Sequence, residues 1–99
     1  MSTLDARPAA AAAADRLLDL FGEVTLALRE RRDVDSDEGR RVFVHDVVAA
    51  HTYYQSTVND ALPRHEAAPI ETAEGRMRAL LAALHEGDVD VAAFLSEGR

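Results

Sequence analysis

From Leu17 onward the chain returns to an apolar residue every three or four positions. Leu17, Leu20, Phe21, Val24 and Leu28 fall on one face at that spacing, which is the signature of an amphipathic helix. The alanine tract Ala9–Ala14 has the highest helix propensity available and packs weakly, and Pro8 suits a first helical position. Residues 1–8 carry no packing pattern, and disorder is compatible with them. Leu26 falls on nearly the opposite side of this helix, where a second contact surface would use it. The basic run that closes the helix puts cations where the macrodipole favours them.

The loop "DVDSDEG" offers Ser36 or Asp35 as a cap, with Asp37 and Glu38 in the first turn of the next helix, where negative charge is favoured. This second helix is expected from about Asp37 to Leu62, stopped by Pro63. A third places Ile70, Ala73, Met77, Leu80, Leu81 and Leu84 on one face, carries a Glu74–Arg78 pair on its wet face, and ends at Gly87. A short fourth, capped by Asp88 or Asp90, contributes Val91, Phe94 and Leu95. The segment "RRVFVHDVV" is dense enough in Val and Phe to compete for strand, but the residues after it continue at helical period. The pattern therefore predicts an all-α fold over residues 1–99 as a single domain: a small helical bundle of three main helices plus a short C-terminal helix.

The second helix raises the main functional question. Val44, Val47, Val48, His51, Val58 and Leu62 form one stripe on a helical wheel. His51 sits at its centre, Gln55 one turn further along, and Tyr54 at its flank. His45 falls on the wet side and Tyr53 outside the stripe. At the centre of an otherwise apolar stripe, His51 is expected to be mostly buried and must find a hydrogen-bond partner. Three arrangements supply one: a satisfied polar pair with Gln55 in a tight core, a polar contact on the axis of a helical dimer that fixes register, or a small pocket lined with Tyr54 that binds a ligand or handles a proton. His51, Tyr54, Gln55, His45 and Tyr53 are thus the candidate interface or ligand-binding residues.

Charge and composition narrow the partners. The net charge is −7 and every basic residue is arginine. That acidity argues against binding a phosphate backbone, and the Ala-, Arg-, Asp- and Val-rich, Lys-free usage looks like a GC-rich bacterial or archaeal genome. The chain has no cysteine, which excludes disulfides and Cys-based zinc sites. No apolar run approaches the length of a membrane span, and the N-terminus does not read as a signal peptide; a cytoplasmic location is the expectation. Asp33, Asp35 and Asp37 imitate the start of a calcium loop, but Glu38 and Val44 stand where that loop needs glycine and glutamate. No metal or cofactor is expected.

Alanine supplies much of the apolar fraction of 47%, so large apolar residues are few for a chain that a small domain's surface-to-volume ratio already makes marginal. The expectation is a small acidic helical protein working through protein–protein contacts, as a homodimer or as an accessory or regulatory subunit. The alternative is a ligand-binding or enzymatic bundle with its pocket on the second helix; no complete catalytic constellation is visible, so enzymatic activity stays open.

Overall fold

The computed structural model describes residues 6–97. Of the segment 1–8, residues 1–5 lie outside the described residues, whereas 6–8 open the first helix. The described chain is α1 (Ala6–Arg31), α2 (Asp37–Ala61), a single 3-10 turn (Leu62–Arg64), α3 (Ala68–Glu86) and α4 (Val91–Ser96), with no strand among these residues. The expected all-α bundle of three long helices and a short one is the observed fold.

The core is concentrated in the seam between α1 and α3. Leu17, Val24 and Leu28 of α1 are fully buried against Ile70, Met77, Leu80 and Leu84 of α3, each worth about 1.5–3 kcal/mol when removed from water. α1 packs more extensively on α3 than on α2. α2 joins this pair through smaller residues: Ala50 and Ala61 are fully buried, and Phe43, Val47, Tyr53, Tyr54 and Val58 are half-buried around them. α4 lies across α2 and α3, anchored by buried Val91 and Leu95. The Arg76 guanidinium stacks 4.9 Å over the Phe94 ring and donates to the Phe94 carbonyl, tying α3 to α4.

Local chemistry sets the element boundaries. Ser36 caps α2 by accepting from the Gly39 amide at 2.9 Å, satisfying one of the orphan donors of the first turn. Gly39 is required there because a Cβ would collide with the Asp33 carbonyl oxygen. Asp90 caps α4 by accepting from the Ala93 amide at 3.2 Å. α2 ends at Ala61, one residue before the sequence-based boundary, and Pro63 sits inside the 3-10 turn beyond it. His65 closes that turn with φ 56°, a left-handed conformation that histidine occupies more readily than most non-glycine residues.

The inner face of α2 differs from the predicted stripe. Val47, Val58 and Leu62 do pack against the core, but Val44 and Val48 remain 55% and 56% exposed, and His51 and Gln55 are exposed as well. The helix is turned so that Asp46, Ala50 and Ala61 face inward. The expectation of a buried, hydrogen-bonded His51 is therefore wrong. Two physical features explain the turn: alanines allow α2 to approach the α1–α3 pair closely, and Asp46 has an arginine waiting for it on the inside.

Candidate functional site: the face of α1 and α2

The five candidate residues on α2 do not gather at one place. Tyr54 and His51 meet α1 at Phe21: the Phe21 and Tyr54 rings stack at 5.9 Å and 16°, and His51 lies 5.6 Å from Phe21 in a tilted arrangement. His51 thus makes ring contacts at the surface rather than the internal hydrogen bond expected of it. Gln55 lies one turn on, exposed beside it. Tyr53 points the other way, into a shallow depression with Ala49, Thr52, Ala92, Leu95 and Ser96 between α2 and α4. His45 is exposed, its Nδ1 3.8 Å from Asp46 Oδ1.

What α2 does present outward is a stripe of its own. Val44, Val48, His51 and Gln55 succeed one another at steps of four, three and four along α2, the spacing of a helical stripe. Leu18, 49% exposed, and half-buried Phe21 lie on α1 at the α2-side flank. Gly22 lies exposed, with nothing within 4 Å of the place its Cβ would take. Leu18, Val44 and Val48 are three of the large exposed apolar residues; Val44 and Val48 share the α2 stripe, while Leu18 lies on α1 on the other side of the Phe21–His51 contact. Leu26, also exposed, belongs elsewhere: it lies with Leu81 and His85 in a depression between α1 and α3.

The polar interior of the molecule is a second feature, and sequence reasoning missed it. Asp46 is 5% exposed. Arg32 donates to its Oδ2 through Nε at 3.0 Å and Nη2 at 2.8 Å, and through Nη1 to Asp88 at 2.6 Å. One guanidinium therefore fastens the end of α1 to α2 and to the connection between α3 and α4. Burial works against the Arg32 charge, but the hydrogen bonds from Asp88 and Asp46 outweigh it and raise its pKa. The Arg32 hydrogen bond in turn lowers the Asp88 carboxyl below its ordinary range. Arg16 and Arg78 both engage Glu74, at 3.1 and 2.9 Å, so this glutamate is not the simple wet-face residue its spacing implied. These groups are mutually satisfied and give no reactive or open site.

Among the described residues no three His, Asp or Glu side chains gather to hold a metal ion. Asp33 and Asp35 are engaged within their own loop, Asp33 Oδ1 accepting from the Asp35 amide and the Asp35 carbonyl accepting from Arg40. No described helix is long and apolar enough to cross a membrane. No protein-family model matches the chain, and no curated protein or solved structure matches it either. The class of protein is accordingly defined by its own architecture: a small α-helical bundle with exposed valines on its second helix.

Proposed function

We propose that the protein is an association module, a small acidic cytoplasmic helical bundle that works by docking the outward stripe of α2 against another protein surface. The observation that carries this reading is the position of Val44 and Val48. They belong to the most apolar stripe of α2, yet that stripe points away from the bundle's own core and lies open. Covering an apolar side chain of this size removes an unfavourable exposure to water, and a partner is what covers it. His51 and Gln55 supply polar contacts inside the patch, where they set register and orientation rather than bulk affinity. The ligand-binding alternative lacks comparable support, because His51 lies at the surface and Tyr53 and Tyr54 face opposite flanks of α2.

The experiment is site-directed photo-crosslinking in the cell of origin, with the reactive side chain at Val48 or at exposed Ala79 on α3. Protein adducts from position 48 and none from position 79 are the expected result. No adduct from either position, or equal adducts from both, refutes the reading.

A further inference from the structure

We infer that α4 is a releasable strap: it fills a helix-binding seat on α2 and α3, and when it lifts, that seat takes an amphipathic helix of the same pattern from another protein. This goes beyond the docking proposed for the outward stripe of α2. It uses a different surface, so the two readings fail separately.

The way α4 is held makes it the unit that opens first. It has six residues, and a helix that short does not persist on its own in water. α4 is therefore helical only while it is seated, and lifting and unwinding are one event. Its fully or nearly buried anchors are Val91 and Leu95, one turn apart. α3, by comparison, sets Ile70, Met77, Leu80 and Leu84 in the core. Parts of a protein open separately according to how many such contacts hold them.

Two arginines hold the strap, and they hold it differently. Arg32 grips its root. It donates through Nη1 to Asp88 at 2.6 Å and through Nη2 to the Val89 carbonyl at 3.4 Å, and the same guanidinium is fixed from behind by Asp46. Arg76 grips the helix itself. Its guanidinium lies 4.9 Å over the Phe94 ring and donates to the Phe94 carbonyl, but its Nε is buried without a hydrogen-bond partner. A buried donor left unpaired opposes the seated state, and water relieves it once the helix lifts. The root is thus anchored while the seated helix carries an unmet polar group.

The seat shows its own preference, because an occupant is in it. Val91, Phe94 and Leu95 stand at i, i+3 and i+4, the spacing by which an amphipathic helix lies in an apolar groove. Ala49, Thr52 and Tyr53 of α2 line the seat beside Ala92 and Leu95, and Arg76 of α3 receives the aromatic ring. The partner's segment therefore carries an aliphatic, an aromatic and an aliphatic side chain at those three positions. A tethered α4 has the advantage of high effective concentration. A competing helix gains over it by bringing an acceptor for Arg76 Nε, most strongly a carboxylate.

Hydrogen exchange and peptide binding on the full chain test this. In the wild-type protein the Phe94 and Glu97 amides, which donate to Asp90 and Ala93, are expected to exchange at least about 100-fold faster than those of Leu80 and Leu84. The binding probe is a labelled synthetic peptide with the sequence of residues 88–97. It is expected to bind the Leu95→Asp chain at least about tenfold more tightly than the wild type, whose seat is filled. The Leu95→Asp form of the peptide is expected to bind neither. Exchange of α4 at the rate of Leu80 and Leu84 overturns the inference, as does a peptide that binds both chains equally or neither. A Leu95→Asp chain that loses the helical spectrum of the three long helices also overturns it, because α4 is then part of one cooperative unit with them.

Discussion

Replacing Asp46 by alanine removes the α2 carboxylate held by Arg32, the guanidinium that also binds Asp88 in the α3–α4 connection. Arg32 Nε and Nη2 both donate to Asp46 Oδ2, and the Arg32 side chain is only 13% exposed. Removing one partner of a buried ion pair costs about 3–5 kcal/mol, because the other charge is left desolvated and unpaired. Asp88 still accepts from Nη1 in the variant and lies at the surface, which lets some water reach the guanidinium. The expected loss is about 2–4 kcal/mol, between the full buried-pair penalty and that of a single hydrogen bond. For a domain of this length that corresponds to a fall in Tm of about 10–25 °C. Urea unfolding followed by helical circular dichroism measures it, with protein concentration held fixed so that association does not alter the reference. Asp88→Ala removes an exposed acceptor and is expected to cost far less. The pair Arg32→Met with Asp46→Leu is expected to recover most of the loss, since an apolar pair of similar volume avoids the desolvation of both charges. An Asp46→Ala cost below about 1 kcal/mol, or one equal to that of Asp88→Ala, refutes the claim that this arginine is a buried fastener.

Gly39→Ala is expected to destabilise the fold by about 1–3 kcal/mol despite alanine's higher helix propensity, because the new Cβ meets the Asp33 carbonyl oxygen. Gly75→Ala meets nothing within 4 Å on the outer side of α3 and is expected to stabilise by about 0.5–1 kcal/mol; the two variants having the same sign in thermal unfolding would contradict the loop geometry. The Asp88 carboxyl is held below its ordinary value of 3.8 by the Arg32 hydrogen bond. Its contribution is therefore complete above that value and lost as pH falls through the lower folded-state value. Asp88→Asn is expected to reduce the acid sensitivity of the unfolding midpoint below about pH 4 while leaving its slope near neutrality unchanged, and an identical acid limb in the two proteins would remove Asp88 from the account.

α1 and α3 were legible in the sequence because their inner faces are built from the residue types that periodicity detects. Leu17, Leu20, Val24 and Leu28, and Ile70, Met77, Leu80 and Leu84, fall on the expected faces and are buried, while Phe21 and Leu81 of the same faces are half-buried. The caps were legible to within a pair, Ser36 or Asp35 and Asp88 or Asp90, since a short polar side chain at the mouth of a helix has a local job, and the structure uses Ser36 and Asp90. α2 was not legible in this way, because hydrophobicity and inward orientation separate along it. Its inner side is marked by Asp46, Ala50 and Ala61, residues that a hydrophobic wheel ranks low, while Val44 and Val48 point outward. The missing signal was the pairing of Asp46 with Arg32, which looked like one more cation in the run that closes α1. A buried ion pair between two helices is invisible to a pattern read one helix at a time. The consequence bears on function as much as on fold. Valines on a helix that already buries its other side contribute nothing to the isolated bundle's core, and replacing them with polar residues would cost that bundle little. Their exposure is what supports the proposal that a second surface covers them.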